Sequence, residues 1–167
     1  MKKFFISIFI FLIINNPIKA ADLSIIGLGI FDFNKQKDEA IDFRYERRLD
    51  KKVYDIGPSV EPAYTVKPFY GIEVTSDNAG YVLGGIYIEE RVNSNIFFTP
   101  NIGVGLYDEG DGKKLGSSIE FRSGLELSYE LENERRIGIS ISHISNASIG
   151  DKNPGTEIIS ISYQIPY

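Results

Sequence analysis

Beyond residue 21 the chain alternates apolar and polar positions with period two. The alternating segments are parted by clusters of Gly, Asn and Asp, and no apolar stripe of helical spacing competes with them. The clearest segment runs from Ile119 to Tyr129. Ile119, Phe121, Leu125, Leu127 and Tyr129 share one face, with Ser123 among them, while Glu120, Arg122, Gly124, Glu126 and Ser128 share the other. Ile41, Phe43 and Tyr45 flank Asp42 and Arg44 in the same manner. Ile102, Val104 and Leu106 flank Gly103 and Gly105, which are small enough for a crowded interior. The pattern predicts eight strands, at roughly 22–33, 38–48, 64–75, 79–89, 95–107, 115–130, 135–146 and 156–167.

Two architectures suit such strands. A soluble sandwich buries the apolar face and wets the charged one, whereas a small membrane barrel turns the apolar face to lipid and closes the charges into a paired interior. The last strand favours the barrel, because Ile159, Ile161, Tyr163, Ile165 and Tyr167 lie on one face and end on an aromatic residue, as strands presented to the outer-membrane assembly machinery do. The beginning of the sequence agrees. Met1-Lys2-Lys3, the apolar run Phe4 to Ile14 and the small residues Ala20-Ala21 read as a secretory signal peptide. That run is too short for a spanning helix, which needs about 20 residues. Cleavage after Ala20 (Ala21 is the near alternative) would leave residues 21–167 as an all-β, eight-stranded antiparallel transmembrane barrel of the bacterial outer membrane. Residues 49–63 are too long for a short periplasmic turn and are expected to hold strand extensions or a small plug. Pro58, Pro62 and Pro68 make the approach to the third strand irregular. The ten Tyr residues, without Trp, are candidates for the aromatic girdles at the membrane interfaces.

Charge and composition narrow the function. Loss of Lys2, Lys3 and Lys19 with the export segment leaves 15 basic against 23 acidic residues, a net charge of −8 that argues against a nucleic-acid partner. There is no cysteine, hence neither a disulfide framework nor thiolate chemistry. Asp108, Glu109 and Asp111 admit a calcium reading, but Gly110 and Gly112 beside them favour an ordinary surface turn.

The remaining chemistry sits near the end of the chain. His143, the only histidine, and Ser145 fall on the face of their strand that otherwise carries Ile137, Ile139 and Ile141; Glu157 precedes Ile159 and Ile161 on the matching face of the next. An unpaired charge on a lipid-facing wall costs roughly 2–4 kcal/mol at mid-membrane and less near its edge, so polar groups placed there suggest a site. Residues 143 and 145 leave the same face of a strand. A hairpin centred on Gly150 sets 143 directly opposite 157, within reach for a carboxylate to hold an imidazole nitrogen. A serine hydroxyl needs a base, and a histidine needs a group that fixes its tautomer; Ser145, His143 and Glu157 suit these three roles. The loop Asn146 to Gly155 offers backbone amides and the Asn146 and Asn153 side chains for a developing oxyanion. Barrels of this type begin and end in the periplasm, which puts the loop 147–155 at the cell surface and the trio at the outer leaflet.

The run His143-Ile144-Ser145-Asn146-Ala147-Ser148-Ile149, followed by Asn153-Pro154-Gly155-Thr156-Glu157 and an aromatic-rich last strand, resembles the lipid A 3-O-deacylases, the PagL family. The likeness is specific over about 40 C-terminal residues and rests on strand count and general character before them. It implies hydrolysis of the 3-O-linked acyl ester of lipid A in lipopolysaccharide, with Ser145 as nucleophile, His143 as base and Glu157 as the orienting acid. It also implies oxyanion or structural support from Asn146, Asn153 and the amides of Ala147 and Ser148. No metal or other cofactor is needed, and the products are a free fatty acid and a lipid A lacking that chain. A homodimer is left open, since no residue marks a dimer face. On this reading the acyl chain lies in a groove along the isoleucine stripe. Two other readings share the sequence: a non-catalytic small barrel that anchors or stabilises the envelope, and a phospholipase using the same three residues.

Overall fold

The computed structural model describes residues 22–58 and 63–167, so the expected export segment lies outside the described residues. The strands are β1 (Leu23–Phe31), β2 (Ala40–Arg48), β3 (Tyr54–Ile56), β4 (Tyr64–Thr75), β5 (Gly80–Ile88), β6 (Glu90–Arg91), β7 (Ile96–Asp108), β8 (Ile119–Glu130), β9 (Arg136–Ser145) and β10 (Thr156–Pro166). Eight of them are long, and every ladder between them is antiparallel. β1 pairs with both β2 and β10, β2 also pairs with β4, and the sheet continues through β5, β7, β8 and β9 back to β10. The sheet therefore closes, and no long strand keeps an unpaired edge. Both ends of the described chain lie at one rim, where the Tyr167 amide donates to the Asp22 carbonyl at 3.1 Å and the Arg47 guanidinium stacks 3.3 Å from the Tyr167 ring centre.

The eight expected segments match the long strands closely, with one exception. β8 starts at Ile119 rather than 115, because Leu115 is tucked inward at 1 % exposure and Gly116 turns the chain with a positive φ of 94°. The short strands have separate causes. β6 keeps the register of β5 against β7 but is cut off from it where Pro100 offers no N–H to the ladder. β3 pairs with the beginning of β4 (Tyr54 opposite Val66), so the expected strand extension within 49–63 is present as a hairpin continuing the β2–β4 ladder past the rim.

Alternation sorts the side chains as the pattern requires. Leu125, Leu127, Ile137, Ile139 and Ile161 are about half exposed on the outer wall, while Glu120, Arg122, Glu126 and Ser128 are buried in the lumen. A buried charge is tolerated only when paired, and Arg122 and Glu126 are, whereas the buried Glu120 and Asp42 carboxylates have no hydrogen-bond partner among the described residues. The Arg122 guanidinium binds Glu46 at 2.6 Å and also Glu73; Arg48 binds Glu46 at 2.8 Å and Glu126 at 2.7 Å; Arg44 reaches Glu126 at 3.4 Å and Gln164 donates to Glu126 at 2.8 Å. The remaining lumen is aromatic, built from Phe69, Tyr81, Tyr87 and Tyr107 with Leu83. Gly85 makes room for it: a Cβ there would stand 2.7 Å from the Phe69 ring and 2.2 Å from the Ile102 carbonyl. Tyr81, Tyr87 and Tyr107 thus differ from the expectation that the tyrosines form girdles. They turn inward, each donating its hydroxyl to a main-chain carbonyl (of Glu120, Leu49 and Lys113) at 2.7–3.1 Å, whereas Tyr129 and Tyr163 stay on the outer wall near the rim that holds the termini.

Arg122 is the junction of this network, so Arg122→Leu leaves Glu73 without its partner and Glu46 with Arg48 alone. It should lower the unfolding free energy by about 3–5 kcal/mol, measured as a drop in the urea midpoint of the folded, heat-modifiable band; an unchanged midpoint would count against the network.

Candidate active site

β9 and β10 pair in the register that sets His143 directly opposite Glu157, with Ile141 opposite Ile159 and Ile139 opposite Ile161. By alternation all of these project from the outer wall, while Ser140, Ser142, Ser160 and Ser162 face the lumen. The His143 Nδ1 and Glu157 Oε1 atoms are 3.2 Å apart, a hydrogen bond between an imidazole whose side chain is 46 % exposed and a carboxylate whose side chain is 22 % exposed. With Nδ1–H donated to the carboxylate, Nε2 carries the lone pair. Ser145 follows two residues later on the same face, half-buried, and lines the same depression as His143. Gly155 backs the ring. Its φ is +60°, and a Cβ there would come within 2.8 Å of His143 Cε1. Nothing in the residue pattern beyond a glycine before a strand pointed to this role.

The loop after Ser145 is clamped from below. Asn146, fully buried, donates its side-chain amide to the carbonyls of Leu115 at 2.9 Å and Lys152 at 2.7 Å, and its Oδ1 accepts the Ser148 amide at 2.9 Å. The Asn146 amide in turn donates to Asn153 Oδ1 at 3.1 Å. Ala147 and Ser148 take positive φ values of 51° and 65°, a tight turn that lifts both residues into solvent. Of the expected oxyanion donors, the Asn146 side chain and the Ser148 amide are thus engaged within the loop, and the Ala147 amide and the Asn153 side-chain amide remain uncommitted among the described residues.

A second support is a buried carboxylate that sequence reasoning did not single out. Asp32, wholly buried after β1, pairs with Lys113, accepts the amides of Lys37 and Asp38 at 3.3 and 3.2 Å, and accepts the Thr156 hydroxyl at 3.3 Å; the Phe33 amide beside it donates to the Glu157 carbonyl at 3.3 Å. Burial acts to raise the Asp32 carboxyl, but the Lys113 hydrogen bond and charge and the two amides outweigh it and hold it below its ordinary value. A depressed carboxyl stabilises the fold above its ordinary range and loses that contribution as pH falls through the lowered value. The acidic cluster 108–111, by contrast, is spent on local contacts: Asp108 accepts the Gly110 amide, Asp111 the Asn78 side chain, and Glu109 pairs with Lys114.

An apolar groove of about 620 Å³ begins at His143 and Glu157. It does not follow the isoleucine stripe down β9 and β10, as the sequence suggested. It crosses the strands instead, along two neighbouring rows: His143–Ser123–Ile102–Ile86, and Ile141–Leu125–Pro100, beyond which Ile88 and Val66, paired in the β4–β5 ladder, continue the lining. The reason is relief. Stacked isoleucines raise a ridge, whereas Ser123 directly beside His143 and Pro100 in the next row keep the wall low. A smaller depression of about 470 Å³ adjoins it, lined by Ser145, His143, Ser123 and Gly84.

The model of the lipid A 3-O-deacylase (PagL) family matches residues 32–166. The chain belongs to that family. The lipid A deacylase PagL of Bordetella bronchiseptica is 31 % identical over 77 residues, which is 46 % of this chain and 39 % of that protein, so the match spans about two fifths of the relative's length. The crystal structure of the outer membrane enzyme PagL superposes with a TM-score of 0.66 at 22 % identity, covering 88 % of this chain and 100 % of the other. Neisserial surface protein A gives 0.54 at 9 % identity over 87 % and 96 %. These likenesses carry the fold, an outer-membrane eight-stranded barrel.

Two outcomes follow for this candidate site. Gly155→Ala, by strain and by contact with the imidazole, should cut esterase turnover about 100-fold, the scale of an ångström-sized misplacement, with the heat-modifiable band unchanged; full activity would mean that the ring does not depend on Gly155. Asn146→Ala, which frees two carbonyls and an amide, should raise hydrogen exchange in residues 147–155 selectively, with about 1–3 kcal/mol lost for each buried group left unpaired.

Proposed function

We propose that this chain hydrolyses the 3-O-linked acyl ester of lipid A from the lipid side of the outer membrane, with Ser145 as nucleophile, His143 as general base and Glu157 as the residue that orients it. The observation that carries the proposal is the His143–Glu157 hydrogen bond of 3.2 Å on the outer wall, next to Ser145 and at the mouth of an apolar groove. A polar trio at that position has no folding role that apolar residues would not fill better.

The three side chains divide the proposed chemistry between them. His143 Nε2 takes the Ser145 hydroxyl proton as Oγ attacks the ester carbonyl, and Glu157 stabilises the imidazolium through Nδ1. The oxyanion falls to the Ala147 amide and the Asn153 side-chain amide, held in place by the Asn146 clamp. The sugar oxygen leaves with the proton from His143 and the acyl group stays on Ser145. A water deprotonated by His143 then attacks the acyl-serine, the fatty acid departs and Ser145 recovers its proton. In a barrel whose ends face the periplasm, the rim bearing residues 146–155 is the outward one, level with the monolayer that holds lipopolysaccharide. The lumen, filled by Arg122, Glu126 and their partners, admits no lipid; lateral approach along the wall brings the ester to Ser145 without extraction and with its position already restricted.

Ser145→Ala should lower deacylation by about 10⁴-fold or more while the barrel folds normally, read by mass spectrometry of lipid A from cells carrying either form. Lipid A of unchanged mass with the intact chain present would refute the proposed activity, and phospholipid turnover with untouched lipid A would move the same three residues to a different substrate.

A further inference from the structure

The groove has an end, and the residue that closes it is not on the barrel wall. From His143, two residues short of the outer end of β9, the lining descends to Ile86, six residues into β5, and reaches Val66, two residues from the opposite end of β4. Val66 faces outward by alternation with Pro68 and Tyr70, yet it is only 7 % exposed, because β3 pairs alongside it there. Ile56, on that β3 extension, is the last residue lining the groove. The path from β9 across β8, β7 and β5 to β4 is four ladder steps, a contour of about 19 Å at the usual strand spacing. That suits a long acyl chain and leaves a short one without most of the lining.

We infer that the β3 strand, through Ile56, which lines the groove with Val66, is the stop that sets the acyl-chain length this site accepts. The inference rests on the proposed esterase reading and adds its specificity determinant. The occupant is the acyl chain of the lipid whose ester lies at Ser145, because the groove adjoins that residue's surroundings and is mainly apolar beyond its polar mouth at His143 and Glu157. Ile56 itself is 42 % exposed on an extension outside the closed barrel, so changing its size alters the groove without opening the core.

The test uses the folded full-length barrel in detergent micelles with a homologous series of p-nitrophenyl esters from butyrate to stearate. The intact chain should gain kcat/KM with acyl length and then fall off. Ile56→Ala should move the fall-off to longer esters and Ile56→Trp to shorter ones. Near the boundary, the ratio between adjacent chain lengths should change by about tenfold, the usual discrimination for added methylenes in an apolar site. Ile139→Ala, on the ridge outside the groove, should leave the profile where it was. Identical profiles for the intact chain and both Ile56 variants, with the enzyme active, would overturn the stop alone. A folded barrel inactive on every ester and on lipid A would overturn the esterase reading and the stop with it.

Discussion

The register of β9 against β10 is the constraint on which the rest depends. Side chains alternate across a strand, so a slip of one residue would exchange every inward for every outward group. His143, Ser145 and Glu157 would then turn into the lumen, and Ile139, Ile141 and Ile161 would meet the ion network. The register is held from both sides. Inside, Ser140 accepts from Arg44 at 3.3 Å, and Gln164 reaches Glu126. At the loop, Asn146 ties the hairpin to the carbonyls of Leu115 and Lys152. The charged interior and the polar trio outside are therefore two faces of a single pairing.

This division also explains why chemistry belongs on the wall. A barrel of eight strands has room only for its own side chains, and here Arg122, Arg48 and Phe69 occupy that room. The outer surface has the opposite problem, since it is covered with bulky apolar groups that favour a smooth lipid boundary. The groove arises where that covering is thin, at Ser123 and Pro100. Its direction is set by the ladder and not by any strand, which carries it from the rim of the trio to the β3 extension at the opposite end.

Much of this was legible in the chain. Period-two alternation fixed eight strands and their inward charges, and the equal spacing of His143 and Glu157 about Gly150 fixed their pairing. Local pattern could not reveal what depends on partners distant in sequence. Ser123 reads as an exception on an apolar face until it stands beside His143. Asp32 passes unmarked at the end of the first expected strand until Lys113 and Thr156 close over it. Asn146 looks like an oxyanion donor from its place after Ser145, and only the carbonyls of Leu115 and Lys152 reveal it as a clamp. The inward tyrosines were hidden for the same reason: their hydroxyls find main-chain carbonyls on other elements.

The most direct test of the central claim is whether Ser145 is nucleophilic at the lipid surface. A long-chain fluorophosphonate, added to the folded barrel in lipid bilayers and followed by peptide mass spectrometry, should leave its phosphonyl group on Ser145, and labelling should collapse in His143→Ala. No adduct on Ser145, or equal labelling of Ser123 and Ser148, would contradict the account.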